Sequence, residues 1–345
     1  MIKKRLFLPL LALLLLLISC KDEEVDDTVN VYNWGAYIDP DLVQEFEDET
    51  GIRVIYSYYA TNEDLYVKLK NGGSNYDLIF PSDYMVERMI LEDMLQPLDM
   101  SKIPNIKHLD EAYLHHTFDP DQKYSLPYFW GTLGIVYNKT MVHEPVDSWD
   151  ILWNPKYKRN IVMMDSSRDS LAVALARNGF SINSKDPKQL EIAKEDLKAQ
   201  FPLVYAYLVD QIRDLMKNNE AALAVMFSGD AMDVTLHNEN LAYAIPKEGS
   251  NLWIDSFAIP KNADHKDNAY KFIDFMLRPE NAARNADFVG YSLPSTEAKM
   301  LQNEKYKNST IAYPYQEILN NLEVFHYPGE YVRLYDKIWQ EVKNQ

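Results

Sequence analysis

One carboxylate stands in the middle of an apolar, strand-like segment. Residues 252–260 read LWIDSFAIP. Because side chains alternate along a strand, Asp255 shares its face with Trp253, Phe257 and Ile259. A buried carboxylate is costly unless a positive charge and hydrogen-bond donors meet it. The chain must therefore supply a lysine or arginine for Asp255, or bind a cationic ligand there.

Aromatic, hydroxyl and carboxylate side chains follow the ends of other predicted strands. Open α/β sheets bind ligands at the carboxyl ends of their strands. Aromatic faces attract cations, and carboxylates accept hydrogen bonds from ammonium groups, so such a pocket suits alkyl ammonium ligands. The candidate ligand-binding residues are Trp34, Tyr37, Ser82, Asp83, Tyr84, Ser166, Asp169, Phe227, Asp230, Trp253, Asp255 and Tyr291.

Each of these residues also has a purely structural interpretation. The aromatic side chains could pack in a core. Asp169 could cap a helix that starts at Ser170, and Asp230 could cap one that starts at Ala231. Asp255 could form an internal salt bridge. These alternatives stay open on the residue pattern alone.

No motif of a metal site or of a common catalytic site occurs in the sequence. The seven histidines are scattered, and the adjacent His115 and His116 would diverge on a strand or a helix. G-x-S-x-G, H-E-x-x-H and a phosphate-binding glycine loop are absent. We therefore expect no catalytic activity, no metal and no cofactor. A hydrolase that uses a carboxylate pair is the remaining enzymatic alternative.

The N-terminus resembles a bacterial lipoprotein signal. In the predicted signal, residues 1–19, the basic residues 3–5 precede an apolar run over 6–18. Cys20 is the only cysteine in the chain, and the preceding LIS completes a lipoprotein cleavage box. A polar tether covers residues 20–27. We expect Cys20 to carry acyl chains that anchor the protein on the extracytoplasmic side of the cell envelope. The alternative is an ordinary secretion signal with an incidental cysteine.

The charge of the chain excludes one class of partner. The formal net charge is −17, and loss of the three basic residues with the signal would make it −20. Such an acidic chain is unsuited to nucleic acid, which proteins grip with Lys and Arg. It is compatible with a cationic ligand.

Strands alternate with helices, which predicts an α/β fold with a mostly parallel sheet. A helix is predicted from Pro40 to Gly51, and another over 269–277 that Pro279 terminates. A Pro-rich aromatic stretch, 124–131, separates two such α/β units. The predicted strands cover residues 29–34, 52–58, 76–81, 134–137, 161–164, 222–227 and 252–259.

Short motifs then give a family resemblance. They are YNW at 32–34, YDL at 76–78, SLPY at 125–128, SW at 148–149, WNPKYK at 153–158, PKEG at 246–249, WIDS at 253–256 and GY at 290–291. In this order and spacing the chain resembles the periplasmic spermidine- and putrescine-binding proteins, the substrate receptors of polyamine ABC transporters. The resemblance covers essentially the whole chain after the tether.

The resemblance implies a two-lobe periplasmic binding protein of type II, with hinge-connected domains and a central ligand cleft. It implies a first lobe of residues 28–132 plus 252–300, and a second of 133–251 plus 301–345. It also implies a monomer that binds a polyamine, putrescine or spermidine, and delivers it to the permease subunits of an ABC importer.

The resemblance assigns roles to individual residues. Asp255 would be the central amine partner, Asp169 would hold one terminal amine, and Ser82 would supply a hydroxyl. Asp230, in the sequence FSGD, resembles the WAGD of putrescine receptors. The aromatic walls would be Trp34, Tyr37, Tyr84, Phe227, Trp253 and Tyr291.

The chain departs from the family pattern at three places. Gly35 and Ala36 stand where a hydroxyl and an acidic residue are usual, Ser166 replaces a second terminal-amine Asp, and Phe325 replaces a Gln. The preferred polyamine therefore stays open. The alternatives to a polyamine receptor are a receptor for a thiamine-like or quaternary amine, and a sensor that signals ligand occupancy to a membrane partner.

Overall fold

The computed structural model describes residues 27–72 and 75–344. The predicted signal, most of the tether and Cys20 lie outside the described residues, and the expectations about them stay predictions. None of the helices within those two ranges is long and apolar enough to cross a membrane.

The strands in the described part of the chain form one mixed sheet. Its order is β2-β1-β3-β9-β4-β7-β5-β6, with β8 beside β4. The strands are β1 Thr28–Trp34, β2 Arg53–Tyr59, β3 Leu78–Ile79, β4 Ser125–Asn138, β5 Ile161–Met164, β6 Val204–Leu208, β7 Leu223–Phe227, β8 Leu241–Ala244 and β9 Leu252–Ala258.

The prediction of a mostly parallel sheet was wrong. Strand β1 is parallel to β2 and β3, and β5 is parallel to β6 and β7. Strand β9 is antiparallel to β3 and β4, and β4 is antiparallel to β7 and β8. All four antiparallel pairs among the described strands include β4 or β9, and the 14 residues of β4 include the Pro-rich stretch that was not predicted as a strand. Pro127 is accommodated at an irregularity in the pairing of β4 with β9.

Helices cover both faces of the sheet. They are α1 Pro40–Thr50, α2 Asn62–Lys70, α3 Asp83–Leu91, α4 Ser167–Arg177, α5 Pro187–Gln200, α6 Ile212–Lys217, α7 Ser228–His237, α8 Lys266–Met276, α9 Pro279–Val289, α10 Thr296–Leu301, α11 Glu304–Lys307, α12 Gln316–Leu319 and α13 Val332–Lys343.

Local sequence signals explain how two of these helices begin and end. Asp39 caps α1 by accepting the Asp41 N–H, Pro40 occupies the first turn, and Gly51 ends the helix with φ 72°. These bounds agree with the prediction. Pro279 was predicted to terminate α8, but that helix already ends at Met276, and Pro279 begins α9. Proline fits a first helical turn because its missing N–H has no partner there.

Two lobes are built on separate hydrophobic cores. The first core lies around β1, β3 and β9 and contains Phe46, Phe257 and Phe272. The second lies around β5 and β7 and contains Trp149 and Val225. Burial of each such side chain contributes about 1.5–3 kcal/mol to folding, so each lobe has its own source of stability.

Three segments connect the lobes. Strand β4 runs from the first core to the second, and the start of β9 runs back. A third segment pairs beside them, because Leu252 N–H donates to the Glu323 carbonyl at 2.9 Å and Glu323 N–H donates to the Ser250 carbonyl at 3.0 Å. This is the predicted two-lobe type II architecture with a central cleft, while the numerical lobe boundaries stay a prediction.

Candidate functional site

Asp255 is buried and meets only neutral hydrogen-bond donors. The Tyr37 hydroxyl donates to its Oδ2 at 2.7 Å, and the Ser82 hydroxyl donates to its Oδ1 at 2.6 Å. Burial raises the pKa of Asp255 to about 6, although both hydrogen bonds oppose this rise. No ion pair within residues 27–72 and 75–344 includes Asp255. The alternative of an internal salt bridge is therefore not realised in the described residues.

Ser82 can donate to Asp255 because it does not cap its own helix. It precedes α3, where a serine hydroxyl commonly accepts a helix N–H, but its side chain makes no such bond. Instead the hydroxyl accepts from Asn62 Nδ2 at 3.0 Å and donates to Asp255. Asn62, which the sequence interpretation missed, thus orients the donor.

Asp83 lies close to Asp255, but its carboxylate accepts hydrogen bonds from the backbone. Its Oδ1 accepts the Tyr84 N–H at 2.6 Å, and its Oδ2 accepts the Ile254 N–H at 3.3 Å. The side chain is fully buried, and burial raises its pKa well above the usual range, with a further rise from Asp255. Asp83 therefore fastens α3 to β9.

Four of the predicted aromatic residues form a continuous series of ring contacts. Tyr37 meets Tyr291 edge to face, with ring centroids 5.6 Å apart. Tyr291 meets Trp253 at 5.0 Å and 90°. Trp253 meets Phe227 at 6.2 Å and 81°. The series starts beside Asp255 and crosses from the first lobe to Phe227, the last residue of β7 in the second lobe.

Two glycines make room for these rings and were missed from the sequence. A Cβ on Gly229 would overlap the Tyr291 ring, and a Cβ on Gly131 would overlap the Trp253 indole. Gly131 lies inside β4, and a glycine in a strand interior is a known sign of a close approach. That signal could have identified Gly131.

Trp34 lies apart from this series. Its Nε1–H donates to the Phe80 carbonyl at 2.8 Å, and its ring lies 4.7 Å from that of Tyr59. The Tyr59 hydroxyl donates to the same carbonyl at 2.7 Å. The end of β3 therefore fixes both rings.

Tyr84 lies on the other side of Ser82. Its hydroxyl accepts from Asn62 Nδ2 at 3.2 Å and donates to Glu63 Oε1 at 3.2 Å. Burial and then the charge of Glu63 raise the pKa of Tyr84 well above its usual value, and Asp169 adds to this rise. The guanidinium carbon of Arg168, the residue before Asp169, lies 4.8 Å from the Tyr84 ring centroid, so the two lobes meet at Tyr84.

Asp169 is a buried residue in the first turn of α4. The helix starts at Ser167, and Ser166 caps it by accepting the Asp169 N–H at 3.3 Å. The alternative that Asp169 caps a helix starting at Ser170 was therefore wrong. Burial raises the pKa of Asp169. The Ser166 hydrogen bond and the charge of Arg168 oppose this rise.

Asp230 holds the corresponding place in α7. This helix starts at Ser228, so the alternative that Asp230 caps a helix starting at Ala231 was also wrong. One carboxylate oxygen lies 3.4 Å from Arg213 Nη1, and burial raises the pKa of Asp230 to about 6. After burial, the charge of Asp230 is the largest cause that raises the pKa of Tyr291, followed by Asp255. Gly229, the residue before Asp230, lies against the Tyr291 ring, so Asp230 lies at the Tyr291 end of the site.

The site thus has three buried or half-buried carboxylates in one interlobe cleft. Asp255 meets Tyr37 and Ser82, Asp169 follows Arg168, whose guanidinium lies over the Tyr84 ring, and Asp230 follows Gly229, which lies against Tyr291. Aromatic faces and carboxylates together bind organic cations. No cluster of three or more His, Cys, Asp or Glu suited to a metal ion occurs in the part of the chain that the structure describes.

Comparisons with known proteins agree with this architecture. A spermidine/putrescine-binding periplasmic protein of Salmonella typhimurium is 37% identical over 320 residues, which cover 92% of each chain. The spermidine/putrescine ABC transporter substrate-binding protein PotD from Streptococcus pneumoniae is 45% identical with a TM-score of 0.84, over 92% of this chain and 98% of that one. The TpPotD lipoprotein of Treponema pallidum is 29% identical with a TM-score of 0.85, over 92% and 99%.

A family match covers most of the same region. Residues 41–313 match the family described as bacterial extracellular solute-binding protein. This range includes residues of both lobes and every candidate binding residue except Trp34 and Tyr37. The chain therefore belongs to the bacterial extracellular solute-binding proteins.

Proposed function

We propose that this protein is the lipid-anchored, extracytoplasmic receptor of a polyamine ABC importer and binds putrescine or spermidine in the interlobe cleft. The observation that carries the proposal is Asp255, a buried carboxylate that receives two hydroxyl donors and no internal cation. An ammonium group of the ligand supplies the missing charge. The names of the relatives from Salmonella and Streptococcus support the same ligand class.

The sequence-based roles of the site residues enter this proposal. Asp255 binds a central or terminal ammonium, and Asp169 and Asp230 bind ammonium groups on either side of it. The ring contacts among Tyr37, Tyr291 and Trp253 support a wall along the alkyl chain. The other proposed contacts come from Trp34, Ser82, Tyr84, Ser166 and Phe227. Asp83, also predicted as a contact, is fully buried and accepts two backbone N–H groups, so its proposed role is to hold α3 against β9.

Lobe closure delivers the ligand in this proposal. The proposed lobes are residues 28–132 plus 252–300 and residues 133–251 plus 301–345, and the presence of two separate cores supports two lobes. Closure of the lobes orders the flexible alkyl chain and excludes water. The monomeric, closed form then docks on the permease subunits, and no bond of the ligand is changed.

Isothermal titration calorimetry with putrescine, cadaverine, spermidine and spermine tests the ligand class. We expect saturable binding of at least one of the four amines at neutral pH. Absence of binding to all four contradicts the proposal. Mass spectrometry of the recovered ligand tests the absence of catalysis, and any product formed in proportion to protein concentration contradicts it.

Membrane attachment has a separate test. The single cysteine at the cleavage box supports lipidation of Cys20, as does the description of the related Treponema protein as a lipoprotein. The Cys20→Ser variant should move from the membrane pellet to the soluble fraction after cell lysis. If the wild type and Cys20→Ser partition equally, Cys20 carries no anchor and the N-terminus is an ordinary secretion signal.

One observation favours a second candidate, a receptor for an organic monocation. Arg213 pairs with Asp230, and the charge of Arg168 acts on Asp169, so Asp255 keeps the least compensated charge. Titration with choline and thiamine in the same calorimeter separates the two functions. Tighter binding of either compound than of the four polyamines would select the monocation receptor.

A further inference from the structure

Two successive backbone N–H groups near the C-terminus donate to opposite lobes. The His326 N–H donates to Asn183 Oδ1 at 2.8 Å, and Asn183 follows Ile182 of the second core. The Tyr327 N–H donates to Glu87 Oε2 at 2.6 Å, and Glu87 belongs to α3 in the first lobe. Only the φ and ψ angles of His326 lie between these two bonds. We call this pair of hydrogen bonds the interlobe clasp.

The side chains of the same two residues also contact the first lobe. His326 Nδ1 lies 3.3 Å from the Glu87 oxygen that accepts the Tyr327 N–H, and His326 Nε2 lies 3.2 Å from Thr117 Oγ1. The guanidinium carbon of Arg88 lies 5.2 Å from the ring centroid of Tyr327. A cation over an aromatic face is attracted to it. The first-lobe half of the clasp is therefore more than one hydrogen bond.

The second-lobe half holds the chain where it crosses between the lobes. Val324 packs with the cluster that contains Ile254 of β9, whereas Phe325 belongs to the second core. Asn183 Nδ2 donates to the Val324 carbonyl at 2.9 Å, in addition to accepting the His326 N–H. The crossing residues are thus hydrogen-bonded to both lobes within a few positions of the chain.

The clasp opposes rotation of one lobe against the other. Hinge motions are absorbed by changes of φ and ψ at a few residues of the connecting segments. At this crossing a single residue separates the bond to the first lobe from the bond to the second. A rotation that opens the cleft therefore has to lengthen one of the two bonds.

We propose that Glu87 is a positioning residue that holds the lobes closed through the clasp and so raises the affinity of the cleft for every ligand. The apparent affinity of a ligand that binds the closed form falls with the fraction of protein that is closed. Loss of the clasp lowers this fraction by the same factor whichever amine then binds. The inference goes beyond the proposed polyamine function, since it requires the two-lobe cleft and no particular ligand.

Calorimetry with putrescine, cadaverine, spermidine and spermine measures the effect on affinity. Glu87→Ala should raise the dissociation constant of each amine that the wild type binds by one common factor of about tenfold, because a hydrogen bond to a charged group is lost. Glu87→Gln keeps an acceptor for the Tyr327 N–H and should raise it about threefold. Asn183→Ala removes the other half and should match Glu87→Ala. The double variant should bind no more weakly than the weaker single variant, because either loss releases the clasp.

Small-angle X-ray scattering measures lobe opening without a ligand. The unliganded Glu87→Ala variant should have a larger radius of gyration than the unliganded wild type. Glu49→Ala is the matched control, because Glu49 pairs with Arg278 at 2.6 Å within the first lobe. It should change neither the radius of gyration nor the affinities. Thermal unfolding shows whether each variant is folded, and Glu87→Gln carries the same comparison if Glu87→Ala is not.

The outcomes separate this inference from the proposed function. Affinities that fall by different factors for different amines overturn the inference, because they make Glu87 a ligand contact. Equal radii of gyration for the unliganded variant and wild type also overturn it, as do additive losses in the double variant. A wild-type protein that binds none of the four amines contradicts the proposed function alone, and the scattering comparison then decides the role of Glu87.

Discussion

Gly229 lies directly against the ring of Tyr291, which leaves no space for a side chain at position 229. Gly229 belongs to the first turn of α7 in the second lobe, and Tyr291 follows α9 in the first. A Cβ on Gly229 would overlap three atoms of the tyrosine ring. Because Tyr291 also contacts Tyr37 and Trp253, this approach couples the distance between the lobes to the aromatic wall of the cleft.

Gly229→Ala should weaken polyamine binding about 10- to 100-fold. The added methyl group would push the Tyr291 ring away or hold the lobes apart. Alanine favours a helix over glycine by up to about 1 kcal/mol, so α7 itself should not lose stability. Calorimetry gives the affinity and thermal unfolding gives the stability. Leu236→Ala, at an exposed position of the same helix, is the control. Equal affinity of Gly229→Ala and wild type would show that this approach is not needed for binding.

Asp255→Asn should weaken polyamine binding at least about 100-fold. The ligand ammonium would lose its buried charge partner, a change that costs about 3–5 kcal/mol for a buried ion pair. The unliganded protein should lose no stability, because the variant no longer buries an uncompensated carboxylate. Calorimetry and unfolding of the unliganded variant check the two statements.

Asp83→Asn provides the contrast to Asp255→Asn. Asp83 accepts two backbone N–H groups, and an amide would turn a donor toward one of them. The expected result is a loss of about 1–3 kcal/mol in the free energy of unfolding, with a much smaller change in affinity. Equal small effects of both substitutions on binding would show that the pocket is misplaced.

Ser82→Ala should weaken binding about tenfold. Its hydroxyl donates to the Asp255 carboxylate at 2.6 Å, and a hydrogen bond to a charged group contributes about 1.5–3 kcal/mol. The helix loses no cap, since Ser82 makes no cap bond. Ser256→Ala is the matched control, because Ser256 follows Asp255 directly and its buried hydroxyl has no partner among the described residues. A similar loss of affinity in Ser82→Ala and Ser256→Ala would show that the Ser82 hydroxyl has no specific role in binding.

Acidification should weaken polyamine binding. Burial raises the pKa of both Asp255 and Asp230 to about 6, and only the ionised carboxylates attract ammonium groups. Between pH 7.5 and pH 5 the affinity should therefore fall about tenfold for each carboxylate that binds the ligand. Calorimetry across this range checks the profile. Asp230→Asn should make it shallower, and an unchanged profile would show that Asp230 does not bind the ligand.

The same two carboxylates should give the stability of the unliganded protein a pH dependence opposite to that of the affinity. Stability should rise on acidification, whereas affinity falls. Their folded-state pKa values lie above the usual value of 3.8, so the folded state binds more protons than the unfolded state between about pH 4 and 6. Their contribution to stability is fully present below pH 4 and is lost as the pH rises through 6. Asp255→Asn should flatten that part of the unfolding curve. An unaltered curve would indicate that Asp255 titrates normally.

Local patterns predicted the elements whose signals lie within a few residues. Asp39, Pro40 and Gly51 defined α1 because caps act on adjacent backbone groups. The alternation in β9 was also confirmed, since Trp253 and Phe257 lie in one core and Ile254 in another. Strand β4 was only partly predicted because both its faces are buried, which removes the alternation that identifies a strand.

The sequence by itself determined that Asp255 stands among aromatic residues, and the order of short motifs pointed to the family of receptors. Only the tertiary structure decided which groups meet that carboxylate. Tyr37 and Ser82 are 218 and 173 residues away from Asp255 along the chain. The contact of Tyr291 with Gly229 likewise joins residues that are far apart in the chain. No local periodicity encodes such contacts, because they depend on how the two lobes and their crossing strands pack together.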